Sequence, residues 1–191
     1  MAYLILVKHA QPDIDPQISP HVWKLSGAGR SRCEPLAHAL SGYHAARIIA
    51  SPEPKAAQTG RLVAEKLDLP FETRMGLEEH SRRTESFDTV ESFRKAIGEL
   101  FHQPQALVYG EETGEQAYER FAGAIQGLLE EYPGQNLVIV AHGTVMALFV
   151  AKTCTMDGFA LWKRLGLPSF VVLYRDDAQT SFRLETVVED V

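Results

Sequence analysis

The segment NLVIVAHGTVMALFVA, Asn136 to Ala151, constrains the fold more than any other stretch of the chain. It reads as an apolar strand over Leu137 to Val140, a polar turn at His142 and Gly143, and a helix from about Thr144 to Thr153 that is apolar almost all round. A strand without polar alternation is covered on both faces, and a helix without a polar face is buried. The same grammar occurs twice more. YLILV, Tyr3 to Val7, is too short for a helix and runs straight into Lys8 and His9. In AARIIASPEP the β-branched pair Ile48 and Ile49 precedes Ser51 and Pro52, which can cap and open a helix carrying Ala56, Gly60, Val63 and Leu67 on one face.

Helical spacing also runs from about Arg30 to Leu40, and from Glu115 to Tyr132 through Phe121, Ile125, Leu128 and Leu129. Phe170 to Tyr174 and Phe182 to Val187 read as strands, with Asp176 and Asp177 as turn residues between them. Strands alternating with helices imply an α/β fold in three layers, helix, sheet, helix, around a mostly parallel central sheet. Ligands of such sheets bind beyond the carboxyl ends of the strands. Three of these ends carry polar residues: Lys8 and His9, then Ser51 to Lys55, then His142. With 191 residues and 45% hydrophobic content, the chain is expected to form a single domain, 1–191, around a sizeable core. The charge-rich stretch from Glu78 to Val108 is the least regular, and a variable flap over the site is expected at about 79–110. The strand at 182–187 is a candidate edge for pairing across a dimer, although nothing in the sequence demands one.

A formal charge of -6 argues against nucleic acid or an anionic membrane as partner, since both select a basic face. Cys33 and Cys154 lie far apart without a CxxC pattern and read as free thiols. No leader pattern and no apolar run of roughly 20 residues is visible, so the expected location is the cytoplasm.

His9 and His142 each follow a strand and precede a small residue, Ala10 or Gly143, as close approach of a ligand would require. One such histidine would be an ordinary loop or capping residue. Two in the same context, with a cationic helix start at Lys55 between them, mark an active site. A zinc site from His9, Glu79 and His142 lacks the HxxxE or HExxH spacing, and no GxGxxG or GxxxxGK[ST] occurs, so no metal or cofactor is expected.

These motifs carry a family resemblance. LVKHAQP is similar to the LVRHG or LVRHA opening of the histidine phosphatase superfamily, the phosphoglycerate-mutase-like group. SPEPKAAQTGRLVAEKL resembles its SPxxRAxQTA helix, GLEEH its L-x-E acid motif, GEQAYER its GES-x-x-x-x-x-R segment and VIVAHGTVMALFVA its VSHGGVIRALL motif. WKLSGAGRSRCEPLAHAL resembles the family's L-T-x-x-G-R-x-Q-A-x-x-L-A helix, and the motifs follow family order from Tyr3 to at least Tyr174.

The resemblance implies a phosphoglycerate-mutase-like fold and a phosphatase that hydrolyses a small phosphate monoester through a phosphohistidine. By that analogy His9 is the nucleophile, His142 contacts the phosphoryl oxygens, and Glu79 is the proton donor with Glu78 as fallback. Lys8 and Lys55 would bind the phosphate of a small phosphorylated metabolite, with Gln11 and Ser51 as neighbours. Two alternatives share the fold: a non-catalytic phosphate-ester binder, and phosphoryl transfer of the phosphoglycerate-mutase type.

Lys8 and Lys55 stand where the family supplies arginines. Lysine keeps the charge but lacks the planar fork that grips two phosphate oxygens. That loss is worth about 1–3 kcal/mol, or about tenfold to a few hundredfold in rate. Arg82 and Arg83 follow the acid motif as potential replacements, although a solvated charged loop is the simpler expectation for them.

Overall fold

The computed structural model describes residues 2–83, 89–175 and 182–191. The expected turn residues Asp176 and Asp177 lie outside the described residues. The chain runs β1 (Ala2–Lys8), α1 (Gly27–Leu40), β2 (Arg47–Ala50), α2 (Pro54–Leu67), β3 (Phe71–Thr73), α3 (Val90–His102), α4 (Gly114–Glu131), β4 (Leu137–Ala141), α5 (Gly143–Cys154), α6 (Gly158–Arg164), β5 (Ser169–Arg175) and β6 (Phe182–Val188). The strands form one sheet in the order β3-β2-β4-β1-β5-β6. β5 pairs antiparallel with both β1 and β6, and the remaining pairs are parallel, so β5 alone runs against the others.

The expected three layers follow from strand alternation. Leu4, Leu6, Leu137 and Ile139 point to the face covered by α4 and α5, where Phe121, Ile125 and Leu128 meet them. Ile5, Val7, Val138 and Val140 point to the other face, against Leu36 and Leu40 of α1 and Val63 of α2. Each of these aliphatic side chains is almost fully buried, worth about 1.5–3 kcal/mol apiece relative to exposure. In α5 every residue from Gly143 to Val150 is buried, as its unbroken apolar sequence requires.

The neighbours β1 and β4 are in parallel register, Leu4 opposite Leu137 through Lys8 opposite Ala141. They hand the chain to helices on opposite faces, α1 on one and α5 on the other. A crevice therefore opens beyond their carboxyl ends, which is where such sheets bind ligands.

Two expectations are revised, and two short elements are added. The stretch from Glu78 to Val108 is not irregular throughout: it contains α3, a 13-residue helix opened by a capping box between Thr89 and Ser92, with Ile97 and Leu100 buried. The helix expected to open at Ser51 and Pro52 begins two residues later, with Glu53 in the N-cap position and Pro54 at its first turn. β3 and α6 were too short to stand out as patterns.

Candidate active site

His9 extends β1 by one further bond, its N–H donating to the Ala141 carbonyl at 3.1 Å. The next residue fixes the imidazole. His9 Nδ1 lies 2.8 Å from the Ala10 carbonyl oxygen, which can only accept, so Nδ1 carries the proton and Nε2 keeps its lone pair. Ala10 is itself held by Thr59 Oγ1 at 3.0 Å, and Thr59 donates to the Lys55 carbonyl at 2.8 Å, which ties the turn to α2. Burial, then electrostatic interaction with His142 and Lys55, hold His9 well below the ordinary histidine range, with Lys8 adding to the effect. The ring is neutral at physiological pH.

His142 sits at the head of α5, its ring 5.2 Å from that of His9 between centroids. Its Nε2 is 2.9 Å from Ser51 Oγ and 3.8 Å from Glu53 Oε1. Burial first, then Lys55, depress its pKa well below the usual value. Among the described residues its buried Nδ1 has no hydrogen-bond partner.

Strand alternation sends Lys8 to the same face as Leu4 and Leu6, toward α5. A side chain on Gly143 would begin 3.2 Å from Lys8 Cε, so the small residue after His142 makes room for this lysine rather than for a ligand. Lys8 Nζ donates to the Leu165 carbonyl at 2.7 Å. Desolvation lowers its pKa from 10.5 to about 8, against the pull of Glu79.

Lys55 lies in the first turn of α2. Its ammonium donates to Glu53 Oε2 at 2.5 Å and to the Pro20 carbonyl at 2.8 Å, and both partners of the ion pair are buried. Desolvation lowers the Lys55 pKa, and Glu53 opposes that shift.

Glu79 reaches across to the N-terminus of α5. Its Oε2 accepts from the Thr144 N–H, and its Oε1 from the Val145 N–H, both at 3.3 Å, with His80 N–H on Oε1 at 2.9 Å. Glu79's own N–H donates to Glu53 Oε1 at 2.9 Å. Burial pushes the carboxyl up, but Arg82, His142 and the N–H groups of His80 and Thr144 outweigh it, and Glu79 is ionised far below the usual carboxylate range. Glu78 is engaged differently, accepting from the Gly76 N–H at 2.6 Å and facing Arg120 at 3.7 Å.

Of the residues singled out in the sequence, His9, His142, Lys55 and Ser51 meet in one buried cluster, with the partly buried Glu79 and Lys8 adjoining it. Gln11 does not join them: it is exposed, and its backbone carbonyl accepts from the Ser26 N–H and hydroxyl. Sequence reasoning missed Glu53. An acid wedged between Pro52 and Pro54, two residues before the cation, was the available signal. It also gave no task to Arg120, which donates to the carbonyls of Gly76, Glu78 and Glu79 and pairs with Glu112, thereby holding the acid loop against α4.

A cavity of about 360 Å³ opens over this cluster, within the range of small-ligand sites. Its walls include Glu53, Lys55, Glu79 and Arg82, together with Ser19 to His21, Met75 and Glu112. His9 and His142 do not form its surface; His9 is 7% exposed and His142 fully buried. Such an arrangement offers a neutral imidazole lone pair, buried cations and a carboxylate within one small volume.

The family model described as histidine phosphatase superfamily (branch 1) matches residues 4–187. No curated protein matches the chain. Among solved structures, YhfR of Bacillus stearothermophilus is similar at 20% identity and a TM-score of 0.79, covering 100% of this chain and 98% of the other. A mycobacterial glucosyl-3-phosphoglycerate phosphatase is 19% identical with a TM-score of 0.77, over 100% and 99% of the two chains. A phosphoserine phosphatase of Entamoeba histolytica, in complex with phosphoserine, is 15% identical with a TM-score of 0.78, over 98% and 97%.

Proposed function

The chain belongs to the histidine phosphatase superfamily, and on that premise we propose that it hydrolyses a small phosphate monoester through a phosphohistidine on His9. The observation that carries the reading is the fixed tautomer of His9: Nδ1 is committed to the Ala10 carbonyl, so a neutral Nε2 is available as nucleophile. In the first step Nε2 donates its pair to phosphorus as the ester P–O bond breaks, and the leaving oxygen takes that bonding pair and a proton from Glu79. In the second step water attacks phosphorus, the N–P pair returns to Nε2, and a proton of the water passes to Glu79. Resting Glu79 is ionised, the form that the second step needs. A phosphate dianion brought against it opposes its charge, and like charges raise a carboxyl pKa, which is the direction that proton donation in the first step requires. Lys55, Lys8 and His142 offset the charge that develops on the phosphoryl oxygens.

The size of the cavity supports a small ester. So does the likeness to a phosphatase crystallised with phosphoserine and with 3-phosphoglyceric acid. A non-catalytic phosphate binder is the second reading, favoured by one observation: neither His9 nor His142 forms the surface of the cavity. Hydrolysis of an aryl phosphate by the natural protein and by His9→Ala separates the two. Turnover that vanishes in the variant, with an acid-labile phosphoryl group trapped on His9, is the expected result. Saturable phosphate affinity with neither turnover nor trapped phosphate would leave only the binder.

A further inference from the structure

The loop after the acid motif carries two arginines that the structure treats differently. Arg83 is exposed, as a solvated loop predicts, but the Arg82 side chain is only 15% exposed. Its guanidinium lies over the ring of Phe93 at 4.9 Å from the centroid, which fixes its plane. Its Nη2 is 3.7 Å from Glu79 Oε2, too long for a hydrogen bond. Its Nη1 is buried and, among the described residues, has no acceptor. A guanidinium carries five donors in a rigid fork, and leaving a buried one unpaired is unfavourable unless another acceptor is to come.

The backbone around Arg82 is clamped rather than free. Ser81 N–H donates to Glu112 Oε1, and Ser81 Oγ and Arg83 N–H both donate to Glu111 Oε2, each at 2.8 Å. Gly110 makes that contact possible: with φ +72° and a missing Cβ that would fall 2.1 Å from the Ser81 carbonyl oxygen, only glycine fits. The clamp aims Arg82 into the cavity beside Glu79 and Lys55.

Charge balance points the same way. Lys8, Lys55 and the buried carboxylates Glu53 and Glu79 sum to zero, with both histidines neutral. Arg83 and Arg120, which also line the cavity, are offset in number by Glu78 and Glu112, so Arg82 leaves the site cationic, and its field reaches Lys8, Lys55 and His142. A phosphate dianion is drawn only to a net positive site.

We propose that Arg82 is a substrate-binding residue that grips the phosphate oxygens with the guanidinium fork missing from positions 8 and 55, leaving Glu79 for the incoming dianion. The proposal rests on a phosphate ester being the ligand, and it concerns binding, so it stands or falls separately from turnover. Substrate would thus remove the cation that keeps Glu79 ionised as it arrives.

The test is a titration with inorganic phosphate, followed by calorimetry and by the Nε–H resonance of Arg82 in labelled protein. Arg82→Gln is expected to weaken phosphate about tenfold to a hundredfold. Arg82→Lys should recover part of that loss, and Lys66→Gln, which removes one charge at the far end of α2, should stay within about twofold. In the natural protein the Arg82 Nε–H resonance should move with phosphate, a readout that does not depend on any variant folding. Equal affinities in all the proteins, an unmoved resonance, or no phosphate binding at about 10 mM would each overturn the assignment. Weakened binding in Arg82→Gln without His9-dependent turnover in the natural protein would uphold Arg82 and refute the phosphatase reading.

Discussion

Lys8→Met should make the protein more stable at neutral pH while disabling it. The Lys8 ammonium is buried, and its pKa falls from 10.5 to about 8. At 1.36 kcal/mol per pH unit, holding it charged in the fold costs about 3 kcal/mol at pH 7. The sign follows from linkage: the unfolded chain keeps this proton to 10.5 and the folded one releases it near 8, so the cost is full below about 8, shrinks as pH rises, and is gone above 10.5. Methionine keeps the length of the stem beside Gly143 but leaves the Leu165 carbonyl without its 2.7 Å donor, which returns about 1–2 kcal/mol. The net gain expected is about 1–2 kcal/mol at pH 7. Methionine does not titrate, so the gap between variant and natural protein isolates Lys8, and it should narrow by about 2 kcal/mol between pH 7 and pH 9.5. Urea unfolding of both proteins at the two pH values measures it. A gap that stays constant with pH would refute the claim that Lys8 is held charged against its environment, and a variant less stable at pH 7 would show that the Leu165 contact outweighs desolvation.

Activity should carry the same signature from the other side. As Lys8 loses its proton, kcat/KM should fall as pH rises through about 8, and Lys8→Arg should move that limb upward because a guanidinium stays charged; a profile identical in both proteins would remove Lys8 from the reaction. Gly110→Ala combines a positive φ with a Cβ 2.1 Å from the Ser81 carbonyl oxygen, so it should lower stability by about 1–3 kcal/mol and weaken phosphate nearly as much as Arg82→Gln. Thermal unfolding and the phosphate titration check it, and unchanged affinity would separate the clamp from the site.

The elements legible in the sequence are those whose apolar spacing is unmixed. β1, β4 and the first two turns of α5 are almost unbroken apolar runs, as central elements are, and α4 keeps Phe121, Ile125 and Leu128 in strict helical register. α3 carries a comparable pattern at Phe93, Ile97, Leu100 and Phe101, but surrounding charges obscured it. The histidines were legible because each closes such a strand. Arg82 was not, since whether a loop charge is solvated depends on its spatial partners, here Phe93 and Glu79, and on Glu111 and Glu112 holding its neighbours Arg83 and Ser81. Glu53 was missed for the same reason: Lys55, His142 and the Glu79 N–H surround it only in three dimensions.

The buried Glu53–Lys55 pair also limits how this sequence can change. Replacing Lys55 with a neutral residue strands a carboxylate, and replacing Glu53 strands an ammonium; either single step costs about 3–5 kcal/mol, a large part of a typical domain's stability. The two positions are therefore epistatic. The lysine cannot drift alone toward a neutral residue, and an arginine at 55 would inherit a neighbour that already claims its charge. Any change of charge at 53 or 55 has to be matched at the other position for the interior to stay neutral.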